Sequence, residues 1–199
     1  MHAESGDLPG WHRTNRERIL NAVELDRLSE LANIGAGRAA GAFSMLTRRE
    51  IRMQVPRVVP VDGVSPSVDG SWSMGVFFEF EGCLNAIVGI LFHASASETV
   101  VRRVVGIEDG ELPPHCIESA LMEVGNILAS HVASAIADTL GERLLPSIPT
   151  LAMNFAENEL LAFVAHHSGD HPIRIECELR DGVGDLGGML VMIPEERGA

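Results

Sequence analysis

The sequence predicts an α/β protein in which two pseudo-symmetric halves share a mixed β-sheet, flanked by two long helices. Apolar residues recur at helical spacing over a first run of about 25 residues and over a second long run after Pro113-Pro114, and strand-like segments follow each run. The two helical runs also match each other at an offset of 93 positions. An internal duplication explains both observations.

Size and composition suit a globular chain. The 199 residues are 46% hydrophobic, which is enough to bury a substantial core. We expect residues 1–18 to form a flexible N-terminal tail. The remainder, residues 19–199, is predicted to be one domain of two repeats, at about 19–110 and 111–195.

Charge and cysteine content exclude several classes of function. A formal charge of −13 disfavours nucleic acid as a partner, because few cations are available to neutralise phosphates. Neither an uninterrupted apolar run of about 18 residues nor a secretory signal is present, so we predict a cytoplasmic protein without membrane insertion. Cys83, Cys116 and Cys177 are scattered and lack a C-x-x-C pair, which indicates reduced packing residues.

Each element of the first half has a local signal. Asn21 and Glu24 have the spacing of a capping box that opens a helix ending near residues 46–49. Strands are predicted at Ile51–Val61, Met74–Phe80 and Leu84–Phe92, the last two as a hairpin turning at Glu81-Gly82. A short helix is predicted at Ser95–Val105 because Gly106 follows it.

The second half repeats this order. Proline at an early position fits the start of the second long helix, whose apolar stripe includes Leu121, Leu128 and Ile136. Extended segments are predicted after it at Ile148–Phe155, Leu160–His166, Ile173–Leu179 and Met189–Ile193.

A polar strip recurs in the two long helices. Residues spaced four, three and four positions apart line one side of each helix, opposite the apolar stripe. The strips are Asp26, Glu30, Asn33 and Gly37 in the first helix, and Ser119, Glu123, Asn126 and Ser130 in the second. In each repeat 22 residues separate the asparagine from a proline, Pro56 or Pro149. Packing does not select solvent-facing side chains, so the matched polar residues indicate a functional site.

The pattern of Asp or Ser, then Glu-x-x-Asn, then proline after 22 residues resembles the signature of the CheC, CheX and FliY chemotaxis phosphatases. The segment Asn33–Ala40 also resembles the first helix of CheC, and the likeness extends over residues from about 20 to 195. Two complete copies resemble CheC more than CheX, which typically carries one. Arg38 departs from the family pattern, in which many relatives have a small polar residue.

This resemblance implies a phosphatase that hydrolyses the phosphoaspartate of a CheY-like response regulator. Asn33 and Asn126 would hold the attacking water. Glu30 and Glu123 would pair with a lysine of the receiver domain. These four are the implied catalytic residues.

The resemblance also implies supporting residues and partners. Asp26 and Ser119 would orient neighbouring groups or touch the partner. Pro56 and Pro149 would shape the chain where it leaves the helix and enters the sheet. No cofactor of the protein's own is implied, since the receiver is expected to hold Mg²⁺, and a CheD-like deamidase is an implied second partner.

Other features have simpler explanations. The glycine-rich segment at 35–41 lies inside a helix, and no Lys-Ser or Lys-Thr follows, so it predicts close helix packing rather than a phosphate cradle. His131 is expected to be a solvated helix position. The cluster of His166, His167, Asp170 and His171 has metal-ligand residue types, but 168–170 is typical of a hairpin turn, and we predict no metal there.

One further function stays open as an alternative, and a third is disfavoured. A noncatalytic protein could sequester the regulator or a CheD-like deamidase without hydrolysis. A flagellar-switch scaffold would require an additional domain, which we do not expect here.

Overall fold

The computed structural model describes residues 21–61, 72–107, 109–166, 173–184 and 186–195. The predicted tail at 1–18 lies outside these residues. In chain order the elements are α1 (Ala22–Thr47), β1 (Ile51–Met53), β2 (Arg57–Pro60), β3 (Met74–Gly82), β4 (Ala86–Phe92), α2 (Ala94–Val105), α3 (Pro114–Leu140), β5 (Leu144–Pro146), β6 (Thr150–Ala152), α4 (Ala156–His166), β7 (Ile173–Asp181) and β8 (Gly187–Pro194). The predicted α/β class, both long helices and the short helix α2 are confirmed.

The strands form one sheet in the order β1-β7-β8-β4-β3-β5, with β2 also on β7 and β6 also on β3. Each strand of the first half has a counterpart four strands later, so β1 corresponds to β5, β3 to β7 and β4 to β8. When counterparts are exchanged, the sheet has the same strand order read from its opposite edge. Every pairing among the described strands is antiparallel, so the prediction of a mixed sheet was wrong. Short turns join β3 to β4 and β7 to β8, and such connections produce antiparallel neighbours.

Helices cover both faces of the sheet. On one face, α1 and α3 pack against each other and against the sheet, with Phe43, Leu121 and Phe78 in the shared core. On the other face, α4 packs through Leu160 against Phe77. By length and composition α3 could cross a membrane, but more than half of its most apolar window is buried in this core, as in the central helix of a globular fold.

The segment 160–166, predicted as a strand, is part of helix α4. Ala156, Leu160 and Val164 recur every four residues and are buried against the sheet, which is the helical period. Acidic residues in the first turn, Glu157 and Glu159, suit a helix start. The predicted hairpin turn at 168–170 lies outside the described residues.

The predicted strand at Ile51–Val61 is two short strands separated by residues 54–56. Met53 pairs with Leu179 and Arg57 with Glu176, so three residues oppose two on β7, which is a β-bulge. The second half has the same bulge at residues 147–149, since Pro146 pairs with Phe80 and Thr150 with Phe77. The extended segment predicted at Ile148–Phe155 therefore begins earlier, at Leu144, and ends at Ala152.

The hairpin between β3 and β4 is confirmed, but its turn lies at residues 83–85 rather than at Glu81-Gly82. Strand β3 continues to Gly82 because that residue pairs with Leu144 of the edge strand β5. A Cβ at Gly82 would lie 2.2 Å from the carbonyl oxygen of Arg143, and φ is +136°, so the close approach requires glycine.

All three cysteines are free thiols. Cys177 is buried on β7 and its thiol donates to the carbonyl oxygen of Gln54 at 3.1 Å. Burial, and then the charge of Glu178, raise the pKa of Cys177 to about 11. The thiol is therefore protonated at neutral pH and acts as a packing residue.

Candidate active site

Helix α1 begins at the predicted capping box. The backbone N–H of Glu24 donates to Asn21 Oδ1 and the backbone N–H of Asn21 donates to Glu24 Oε2, both at 3.0 Å. This reciprocal cap fixes the start of α1. Glu30 and Asn33 lie two to three turns inside the helix, where the backbone is regular and their side chains project in a fixed direction.

The two polar strips face outward. Asp26, Glu30, Asn33 and Gly37 are exposed on α1, and on α3 Ser119, Glu123 and Ser130 are exposed while Asn126 is half-buried. Within the described parts of the chain, the side chains of Glu30, Asn33, Glu123 and Asn126 make no hydrogen bond or ion pair. Their carboxylate and carboxamide groups are therefore available to water or to another protein.

The strip on α1 lies on the flank away from α3. A Cβ at Gly35 would lie 2.9 Å from Val132 Cγ1 of α3, whereas a Cβ at Gly37 would meet Met53 Sδ of β1 at 3.7 Å. Two residues advance about 200° around a helix, so α3 and β1 lie on nearly opposite sides of α1. Asn33 is one turn before Gly37 and shares its side.

The strip on α3 lies on the outer side in the same way. Val132 faces α1. Ser130 lies about 200° and Asn126 about 120° around the helix from it. The two strips therefore occupy opposite flanks of the helix pair.

The two prolines lie at the bulges of the edge strands. Pro56 and Pro149 each occupy the last bulge position, directly before β2 or β6. Proline is compatible with a bulge because it has no N–H to donate to a ladder. Equivalent backbone hydrogen bonds hold the two bulges. In the first, the N–H of Gln54 donates to the carbonyl oxygen of Glu178 at 2.8 Å, and in the second, the N–H of Ser147 donates to the carbonyl oxygen of Glu79 at 2.7 Å. The prolines thus shape a break within the sheet edge, rather than the junction of helix and sheet that the sequence predicted.

The rise per residue of helix and strand places the first bulge near the level of Asn33 along α1. The N–H of Ile51 donates to Ser44 Oγ at 2.9 Å, and Met53 lies beside Gly37, so β1 runs back along the helix towards its N-terminus. Asn33 is about 6 Å further in that direction than Gly37, and two strand residues after Met53 cover about the same distance. The 22 residues between Asn33 and Pro56 are the length of chain needed to run from Asn33 to the end of α1 and back along β1 to the bulge.

Charges beside the two strips differ. Arg27 and Arg38 are exposed on α1, both on the same side of the first strip and about 100° around the helix from it. At the equivalent positions α3 has Ala120, which is buried, and His131, which is exposed as predicted. The first strip therefore has two fixed cations along one side that the second lacks.

Two segments for which the sequence predicted no function are the glycine-rich segment at 35–41 and the histidine cluster that begins at His166. Gly35 makes the predicted close helix contact, but Gly37 and Gly41 are exposed, so the packing role of the glycine-rich segment belongs to one residue. His166 is exposed at the end of α4, and the other three members of its cluster lie outside the described residues. Among the residues that the structure describes, no group of three His, Cys, Asp or Glu side chains could hold a metal ion.

Comparison with known proteins agrees with this geometry. The CheC-like family model matches residues 23–59 and 117–152, and each segment contains one strip and its proline. The CheY-P phosphatase CheC of Bacillus subtilis is 29% identical over 176 residues, which cover 82% of this chain and 84% of the relative.

Solved structures share the fold. Thermotoga maritima FliY superimposes with a TM-score of 0.63 at 21% identity, covering 89% of this chain and 92% of that one. A chain of the CheX–CheY–BeF₃–Mg²⁺ complex from Borrelia burgdorferi gives a TM-score of 0.59 at 13% identity, covering 84% and 99%. The chain is thus similar to the CheC-like family in one matched segment of each repeat, and to the Bacillus subtilis relative along about four fifths of its length.

Proposed function

We propose that this protein hydrolyses the phosphoaspartate of a CheY-like response regulator, with one active site on α1 and another on α3. The observation that carries this proposal is the duplicated Glu-x-x-Asn pair, outward-facing and without partners in the described structure. The likeness to the CheY-P phosphatase CheC supports the same substrate.

Asn33 and Asn126 position the water. In hydrolysis of an acyl phosphate the water oxygen bonds to phosphorus as the bond from phosphorus to the aspartate oxygen breaks, leaving a free carboxylate and inorganic phosphate. A carboxamide can accept from the water through its oxygen and donate to it through its nitrogen. It carries no negative charge that would repel the phosphoryl group. Fixing the water in line contributes to the rate through orientation.

Glu30 and Glu123 dock the receiver. Each lies one turn before its asparagine on the same side of the helix, so a single partner surface can reach both. A charge-assisted contact between this carboxylate and the receiver's active-site lysine would hold the two surfaces in register. Mg²⁺ in this proposal belongs to the receiver. Asp26 and Ser119 lie one turn further back on the strip and contact the same partner.

The test follows phosphate loss from a phosphorylated receiver with the wild type, Asn33→Ala, Asn126→Ala and the double variant. We expect each single change to remove the contribution of one site and the double change to abolish the acceleration, while binding to a beryllium fluoride-activated receiver persists. Asn158→Ala, an exposed asparagine on α4 at the other face of the sheet, is the matched control. Wild-type protein that binds the receiver without accelerating its decay would support the sequestering alternative instead.

A CheD-like deamidase as a second partner is a separate prediction from the resemblance. Pull-down of purified CheD-like protein by the wild type and by the double asparagine variant tests whether such binding exists and whether it uses the strips.

A further inference from the structure

Two apolar side chains at the bulges are conspicuous for their exposure. Val55 is 82% exposed and Ile148 is 88% exposed, the highest values among the large apolar residues of the described chain. A single exposed apolar side chain needs no explanation. These two occupy equivalent positions of the repeats, each directly before the bulge proline, so both repeats retain the same unusual feature.

The location makes this exposure costly. Both residues lie in bulges at the edges of the sheet, where apolar surface beside unpaired backbone groups favours aggregation and proteins commonly place charged residues. Neighbouring edge positions do include charge, as at Arg52 and Arg57. An apolar residue kept in both bulges therefore points to a surface that another molecule covers.

The position of Val55 identifies the covering molecule. Met53, two residues before Val55, lies beside Gly37 of the polar strip, and the chain runs from there towards the level of Asn33. A protein interface of ordinary size buries about 800 Å² on each partner, which is enough to span the strip and the bulge together. A receiver engaged with Glu30 and Asn33 would therefore also lie over Val55.

We infer that Val55 and Ile148 are apolar contacts of the two docking surfaces, each covered by an apolar patch beside the phosphorylation site of the receiver. This inference rests on the proposed function and adds to it a specificity determinant outside the Glu-x-x-Asn strips. An apolar contact next to polar and charged groups has the mixed character of protein interfaces.

The test compares Val55→Ser, Ile148→Ser and the double serine variant with the wild type. Two quantities are measured: the dissociation constant for a beryllium fluoride-activated receiver, and the KM and kcat for phosphate loss. Removing both contacts is expected to raise the dissociation constant and KM by roughly five- to tenfold while kcat stays near its wild-type value. Val55→Ile with Ile148→Val keeps the apolar character and is expected to stay within about twofold of the wild type.

Val183→Ser is the matched control, because Val183 is 67% exposed in the loop between β7 and β8. Serine variants that bind and turn over the receiver as this control does would overturn the inference and leave the proposed function intact. A shift in sedimentation from dimer to monomer, with receiver binding unchanged, would show that a second copy covers the bulges and would also overturn it. Wild-type protein without any acceleration would overturn the proposed function, and the dissociation constants would still decide the docking role.

Discussion

At the scale of single residues, the proposed function gives the asparagine and the glutamate of each strip separable tasks. In the proposed mechanism Asn33 offers neutral hydrogen-bonding groups to a water molecule, whereas Glu30 offers a charge to the partner protein. An interaction that serves binding alone changes KM, while one that acts only in the transition state changes kcat. The two side chains are therefore distinguishable by kinetics.

Glu30→Gln keeps the size of the side chain and removes its charge. In an Asn126→Ala background, where only the first site is active, we expect KM to rise by roughly three- to tenfold and to become less sensitive to salt, with kcat largely retained. Steady-state kinetics at two ionic strengths measures both effects. Glu159→Gln on α4 is the control for loss of one exposed charge. A lower kcat at unchanged KM would assign Glu30 to the chemical step.

At the scale of elements, the close contact between α1 and α3 depends on Gly35. An added methyl group would lie 2.9 Å from Val132 Cγ1, and Val132 is β-branched with restricted χ1, so the helices would have to separate. We expect Gly35→Ala to lower the free energy of unfolding by about 1–3 kcal/mol despite the better helix propensity of alanine.

Gly41→Ala provides the matched comparison on the same helix. Nothing lies within 4 Å of a Cβ at Gly41, so alanine should raise the free energy of unfolding by about 0.5–1 kcal/mol. Chemical denaturation of the two variants measures the difference. Stabilisation of both variants by the same amount would contradict the packing role of Gly35.

The elements that the sequence predicted well are those with local signals. Asn21 and Glu24, which are three residues apart, form the capping box that defines the start of α1. The long apolar periodicity of residues 114–140 identifies α3. Helix α4 was missed because its apolar residues at 160–164 fill a short run in which helix and strand periods are hard to separate. The bulges were missed because they exist only relative to β7 and β3, whose pairing with β1, β2, β5 and β6 is not encoded locally.

The same division applies to the candidate site. Helical periodicity predicts that Glu30 and Asn33 share one exposed side of α1, and the structure places them there. The orientation of this side relative to α3 and β1 is set by the contacts of Gly35 with Val132 and of Gly37 with Met53. These contacts join distant parts of the chain, so the sequence alone does not predict them. The catalytic roles of the strip residues remain predictions.

At the scale of the whole molecule, the arrangement of the strips on opposite flanks determines how many receivers one chain can hold. Gly35 faces α3 while Gly37 faces β1, so the first strip is directed away from the second helix. Ser130 is likewise about 200° around α3 from Val132. Two receivers approaching from opposite sides would not compete for space, in contrast to two sites on one shared face.

We therefore expect one chain to bind two activated receivers. Calorimetric titration with a beryllium fluoride-activated receiver should give a stoichiometry of two, with Arg27 and Arg38 beside the first strip making the two affinities unequal. Glu30→Lys reverses the docking charge of the first site and should reduce the stoichiometry to one, whereas Glu159→Lys on α4 should leave it at two. A stoichiometry of one for the wild type, unchanged by Glu30→Lys, would mean that the first strip does not bind a receiver even though it repeats the residues of the second.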